Sequence, residues 1–78
     1  MFDHKYITFR TEEGNLSFYV FSTIHQHKMF KHLNPISAGF VRLKVDEAGK
    51  AYYDCYGDSF SLGIKSHPER DSELLNEH

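Results

Sequence analysis

Histidine, a residue type able to bind metals and to transfer protons, occurs 6 times among the 78 residues of this chain. His25 and His32 lie seven positions apart in a segment predicted to be helical, which places them about 20° apart around the axis but roughly 10 Å apart along it. Side chains that far apart cannot bind the same metal ion. No histidine pair has the spacing of a zinc-binding helix and only one cysteine is present, so the sequence predicts neither a metal nor a cofactor.

The candidate nucleophiles are Cys55 and the serines Ser37, Ser59 and Ser61. The segment around Ser59 is not a nucleophile elbow, because a second glycine is missing and no strand–turn–helix pattern surrounds it. Cys55 falls on a predicted buried strand face, where a lone cysteine usually acts as a small hydrophobic residue. The sequence therefore assigns no catalytic residue.

The connection after the predicted helix is a candidate anion site. Ser37, Ala38 and Gly39 would expose backbone amides in a tight turn, with His32 nearby, and such a turn can hold a small anion. The alternative is that Gly39 allows a close approach between the connection and the sheet.

Two β-hairpins are predicted from the alternation of apolar and polar residues. Residues 5–10 and 16–21 form the first, and residues 39–45 and 51–56 form the second. A short polar segment containing glycine joins the strands of each hairpin, as expected for a tight turn.

A helix is predicted between the hairpins. Thr23 and Gln26 have the spacing of a capping box, and Pro35 prevents the helix from continuing much beyond Leu33. On this helix, His27 falls among the exposed lysines rather than on the apolar stripe.

The C-terminal part of the chain is less regular. Residues 59–65 favour a short fifth strand, and Pro68 suits the first turn of a helix. Only Leu74 and Leu75 can anchor that acidic helix, over residues 66–78, so it is expected to be short and easily frayed.

These elements predict a single α+β domain over residues 1–78. Its core would be one antiparallel sheet of four or five strands, in the order ββαββ(β)α, with both helices packed on one face. The face under the helices would carry Ile7, Phe9, Leu16, Phe18, Val20, Val41, Leu43, Val45, Tyr53 and Cys55.

The opposite face would carry aromatic and basic side chains. They are Tyr6, Arg10, Tyr19, Phe21, Phe40, Arg42, Lys44, Tyr52 and Tyr56. This is more apolar surface than a monomer usually exposes. Three interpretations follow: a homodimer forms through this face, the C-terminal segment or a loop covers it, or single-stranded nucleic acid stacks on it.

Composition limits the possible functions. The net charge is −2, and residues 66–78 carry four acidic residues against Arg70 alone, so the rest of the chain is nearly neutral and lacks the basic footprint of a nucleic-acid binder. Hydrophobic residues make up 40% and aromatic residues 15%, which indicates a packed fold. A single cysteine and the lack of a long apolar run predict a cytoplasmic protein with no membrane partner.

The function predicted from the sequence is therefore a small cytoplasmic interaction or regulatory module that dimerises through the aromatic face. A further, unknown protein partner is compatible with it. The first alternative is a binder of single-stranded nucleic acid or of a small ligand on the same face. The second alternative is a small hydrolase-like enzyme.

Overall fold

The computed structural model of the chain describes residues 3–59 and 61–77. The elements, in order, are β1 (His4–Arg10), β2 (Leu16–Phe21), a 3₁₀ segment (His27–Leu33), β3 (Ser37–Val45), β4 (Ala51–Tyr56), β5 (Asp58–Ser59), β6 (Ile64–Lys65) and α1 (Pro68–Asn76). The first four strands form an antiparallel sheet in the order β2-β1-β3-β4, and β5 pairs with β6 in a second small sheet. The predicted α+β class and four-stranded antiparallel sheet are confirmed.

Both predicted hairpin turns are present and are closed by hydrogen bonds. In the first, the Thr11 amide donates to the Asn15 carbonyl at 2.8 Å, and Gly14 has a φ of 86°. In the second, the Asp46 carboxylate accepts from the backbone amides of Ala48 and Lys50, at 2.9 Å each. Local side-chain bonds of this kind are the reason that Asp is frequent in turns.

The predicted fifth strand does not join the main sheet. Gly63 has a φ of 68° and its amide donates to the Ser59 carbonyl at 2.9 Å, so the chain reverses between β5 and β6. The prediction of one strand over residues 59–65 is therefore wrong in the part that the structure describes, and Phe60 lies outside the described residues.

The predicted central helix is shorter than expected and of a different type. It begins at His27, because Gln26 is extended, with φ −98° and ψ 144°, and the capping box with Thr23 is not formed. Phe30 interrupts the 3₁₀ segment with non-helical angles. Short 3₁₀ pieces are common as connectors between other elements. The predicted end at Leu33 is confirmed, since Asn34 adopts a left-handed conformation before Pro35.

The strand register corrects the predicted faces of β1. Tyr6 pairs with Val20 on one side and Gly39 on the other, which places Tyr6 and Thr8 on the same face as Val41. Ile7 and Phe9 therefore lie on the opposite face, although the sequence analysis grouped them with Val41. Both faces of β1 are buried, so alternation of residue type could not indicate which side is which.

The helical elements cover opposite faces of the sheet, and the prediction that both pack on one face is wrong. Leu75 of α1 packs in a core that we call the α1 core, made of Tyr6, Val41, Cys55 and Leu75. The 3₁₀ segment packs on the other face in a second core. This aromatic core contains Ile7, Phe9, Ala38, Phe21, Phe30, Leu33 and Leu62.

Candidate functional site: the β3–β4 arm

The second hairpin projects beyond the rest of the sheet. The pairing of β1 with β3 ends at His4 and Val41, whereas β3 and β4 continue to pair as far as Val45 and Ala51. We call this two-stranded extension, residues 42–54, the arm. A two-stranded ribbon is marginally stable in water unless another element supports it, so its attachment to the body matters.

Helix α1 supports the base of the arm along the β4 edge. The Asn76 side chain accepts from the Tyr53 amide at 2.7 Å and donates to the Tyr53 carbonyl at 2.9 Å. One turn earlier, the Ser72 hydroxyl accepts from the Cys55 amide at 2.9 Å. These side chains take the place of a neighbouring strand's backbone at Tyr53 and Cys55, which blocks pairing with another strand at those two residues.

One side of the arm is apolar and exposed. Leu43, Val45 and Tyr53 lie on the same face as the α1 core, and these residues are 38%, 59% and 43% exposed. The alternation of residues in the sequence predicts a position beneath a helix for all three. They are uncovered because α1 lies along the β4 edge and ends at Asn76, while the 3₁₀ segment is on the other face.

The other side of the arm is polar and its charges are paired. Asp54 lies 3.1 Å from the Arg42 guanidinium and 3.2 Å from the Lys44 ammonium. Partial burial would raise the pKa of Asp54, but the hydrogen bonds from these two cations outweigh it and hold the pKa below its ordinary value. The Arg42 guanidinium also stacks 4.2 Å from the centre of the Tyr56 ring.

The structure keeps together part of the predicted aromatic face. Phe40, Arg42, Lys44, Tyr52 and Tyr56 do share one side of β3 and β4. The Phe40 and Tyr56 rings stack with their centroids 5.7 Å apart. The Tyr56 hydroxyl donates to the Asp3 carboxylate, which raises the pKa of Tyr56.

The β2 end of the same face is partly covered. The Phe30 ring of the 3₁₀ segment lies 4.5 Å from Phe21 and 6.0 Å from Tyr19, centroid to centroid. Leu62, from the turn between β5 and β6, packs against the same aromatic core. Nearly half of the Tyr19 side chain remains exposed.

Tyr6 and Arg10 are not on this face, and their assignment to it was wrong. The β1 register places both on the α1 side, where Tyr6 is fully buried. Arg10 is exposed and donates to the Gly14 carbonyl at 2.9 Å, so it stabilises the first turn.

The turn predicted to hold an anion is not formed. Ser37 and Gly39 are buried residues of β3, and the Ser37 hydroxyl bonds to the buried Thr8 hydroxyl. A Cβ atom on Gly39 would lie 2.4 Å from the Tyr56 carbonyl oxygen, so glycine at this position of β3 permits a close approach to the end of β4. His32 is exposed in the 3₁₀ segment.

Sequence reasoning missed the buried His27. Its ring bonds to the Gly39 carbonyl at 2.8 Å, and because a carbonyl only accepts, Nε2 carries the hydrogen. Burial lowers the pKa of this imidazole despite the opposing effect of that bond. Helical periodicity could not identify His27, because the segment is not an α-helix.

Cys55 is a buried thiol, and the histidines belong to no metal-binding cluster in the described part of the chain. Burial raises the pKa of Cys55 to about 11, so the thiol is neutral at physiological pH and a weak nucleophile. Among residues 3–59 and 61–77, His, Cys, Asp and Glu side chains form no group of three or more that could hold a metal ion.

Asp71 is the other residue that sequence reasoning missed. It is fully buried, although by sequence it belongs to the acidic segment of residues 66–78. Its carboxylate accepts from the Tyr6 hydroxyl at 2.5 Å, from the His67 amide at 3.0 Å and from Arg70 at 3.2 Å. Burial and this carboxylate together raise the pKa of Tyr6 well above its usual range. Asp71 thus fastens α1 to the sheet.

Comparison with known proteins assigns no function. No protein-family model, curated protein or solved structure matches the chain. In the part of the chain that the structure describes, no helix is long and apolar enough to span a membrane. The geometry of the arm is therefore the basis of the functional proposal.

Proposed function

We propose that this protein is a small interaction module that binds a protein partner with the apolar side of its arm. The supporting observation is the exposure of Leu43, Val45 and Tyr53 on a ribbon that stands clear of the body. Burying a fully exposed side chain of this size contributes roughly 1.5–3 kcal/mol, and a partner would gain the part of it that corresponds to the surface still exposed on each of the three, so covering them favours association. An uncharged centre containing a tyrosine is also typical of the core of a protein interface.

The polar side of the arm fits the rim of such an interface. Arg42, Lys44 and Asp54 already satisfy one another, so they gain less from a partner than the apolar side does. Polar rims contribute mainly to specificity and to the rate of association. Homodimerisation through the aromatic side of β3 and β4, which includes Phe40 and Tyr52, is the alternative, and it would bury those ion pairs at a cost in desolvation.

The test compares captured partners between matched variants. The chain carrying Leu43→Lys and Val45→Lys is used as bait beside the wild type, and a chain carrying Ile24→Lys and Met29→Lys serves as control. All four positions are exposed, so the fold should survive, and circular dichroism checks it. We expect the wild type and the control to capture the same partner, and the arm variant to capture at least tenfold less of it. Identical captured proteins in all three would contradict the proposal.

A second candidate function is the binding of single-stranded nucleic acid on the polar side. Lys44 and Tyr52 pair directly across the strands and both are exposed, and bases stack on such tyrosines while phosphates bind lysines. Titration of a fluorescently labelled oligonucleotide at two salt concentrations tests this. Salt-sensitive binding that Lys44→Glu abolishes would support it, and failure to bind at low salt would eliminate it.

A further inference from the structure

The backbones of the two edge strands of the four-stranded sheet, β4 and β2, have different hydrogen-bond partners. At the β4 edge, Ser72 and Asn76 of α1 bond to the backbone of Cys55 and Tyr53. At the β2 edge, no strand among residues 3–59 and 61–77 pairs with β2 other than β1. One edge is therefore sealed by the chain itself and the other is not.

The register shows which backbone groups of β2 point outward. The Thr11 amide donates to the Asn15 carbonyl, so these two residues form a hydrogen-bonded pair. Along an antiparallel pair of strands, hydrogen-bonded and non-hydrogen-bonded pairs alternate. The backbone groups of Ser17 and Tyr19 therefore bond to β1. The amide and carbonyl groups of Leu16 and Val20 then point away from β1. Within the described residues, neither has another backbone partner.

The composition of β2 leaves this edge open to pairing. Its sequence, Leu-Ser-Phe-Tyr-Val-Phe, contains no charge, no proline and no glycine. Natural edge strands usually carry a lysine, a proline or a bulge, which discourages pairing with another chain. About four-tenths of Val20 and nearly half of Tyr19 are exposed, on opposite faces of the strand.

We infer that β2 pairs antiparallel with β2 of a second copy about a two-fold axis. Leu16 of one chain then lies opposite Val20 of the other, and each such pair exchanges both of its N–H···O=C bonds. Ser17 lies opposite Tyr19 on the other face. The strand complements itself, because every facing pair is uncharged, and this favours a second copy over a charged peptide.

This arrangement closes after two chains. Each chain uses its β2 edge once, and at both ends of the combined sheet α1 occupies the backbone of Tyr53 and Cys55 on the β4 edge, which opposes further extension. Both arms stay accessible at the outer ends. The inference is therefore independent of the partner proposed for the arm, and the dimer would present two arms.

Disulfide trapping tests the register. Chains carrying Leu16→Cys or Val20→Cys are oxidised separately and as a mixture, and cross-linked dimer is measured on non-reducing gels. Facing residues in this register lie about 5.5 Å apart at Cα, which suits a disulfide. Two copies of the same variant would hold their cysteines roughly 14 Å apart, from the rise of a strand. Native Cys55 is buried and does not compete.

The expected result is at least tenfold more cross-linked dimer in the mixture than in either variant alone. Equal cross-linking in all three would overturn the inference, since it would reflect random collision. Val20→Lys should in addition convert the dimer to a monomer in sedimentation at micromolar concentration, with an unchanged circular dichroism spectrum.

Val45→Lys on the arm is the matched control and should leave the dimer intact. A wild type that sediments as a monomer would overturn the inference, as would a dimer that Val45→Lys dissociates and Val20→Lys does not. The latter result would instead place self-association on the arm.

Discussion

The two faces of the sheet are covered by contacts of different kinds. On one face, α1 is attached by directional polar bonds, from Asp71 to the Tyr6 hydroxyl and from Asn76 to the Tyr53 backbone. On the other face, the 3₁₀ segment is attached mainly by rings. Phe30 lies against Phe21, and the His27 ring meets Phe21 edge-on at 5.5 Å.

This difference implies different tolerance to change. A buried polar bond has one good geometry, and losing a partner leaves an unsatisfied group in a medium of low dielectric constant. Ring contacts have several acceptable geometries and lose energy gradually as the rings shift. We therefore expect α1 to fix the base of the arm rigidly and the 3₁₀ segment to adapt to substitutions.

Removing the buried carboxylate should have the largest effect. Asp71→Ala leaves the Tyr6 hydroxyl buried without its acceptor and removes the acceptor of the His67 amide. The free energy of unfolding should fall by about 3 kcal/mol or more, as measured by urea denaturation. Glu73→Ala, an exposed acid of the same helix, should change it by less than about 0.5 kcal/mol. Similar losses in both variants would show that α1 is not attached through Asp71.

Truncating the central ring of the other face should cost less. Phe30→Ala removes contacts with Phe21 and Tyr19, but Phe30 is only half-buried. We expect a loss of about 2 kcal/mol, below the range for a fully buried phenylalanine. Phe30→Leu should recover most of it, since the site adapts. An equal loss of unfolding free energy in Phe30→Leu and Phe30→Ala would show that the ring contacts tolerate substitution no better than the polar bonds do.

The sequence predicts the hairpins well, because their turns are encoded locally. Gly14 and Asp46 act within a few residues of themselves, and the strands around them alternate. The faces of β1 could not be predicted, because Tyr6 and Ile7 are both fully buried. A strand covered on both sides has no polar face to orient it.

The candidate site was less predictable than the fold. Leu43 and Val45 look like core residues by type, and their exposure follows from where α1 ends, which is a tertiary property. Asp71 stands between other acidic residues and gives no local sign of burial. Its role depends on Tyr6, which is 65 positions away in the chain.

Removing the Asn76 side chain from the β4 edge should lower the free energy of unfolding by an intermediate amount, and it tests whether α1 stabilises the arm. Asn76→Ala removes the bonds to both backbone groups of Tyr53 and should cost about 1 kcal/mol. Hydrogen exchange of the Tyr53 amide should accelerate more than that of amides in β1. Glu77→Ala is the control, since its side chain is exposed at the end of the helix. Unchanged protection at Tyr53 would mean that the arm does not depend on α1.

The smallest predicted effect is a pH dependence specific to the 3₁₀ side. Burial lowers the pKa of His27 below its ordinary value of 6.5, so the unfolded chain binds a proton more readily than the folded one. The contribution of His27 to stability is therefore complete above about pH 6.5 and declines as the pH falls from there toward the lowered pKa. Urea denaturation at pH 7.5 and pH 5.5 should show this decline in the wild type, and a smaller one in His27→Gln. His32→Gln, at an exposed position, should behave like the wild type. An equal decline in His27→Gln would assign the pH response to other groups, and the 3₁₀ side would then differ from the α1 side only in its ring contacts.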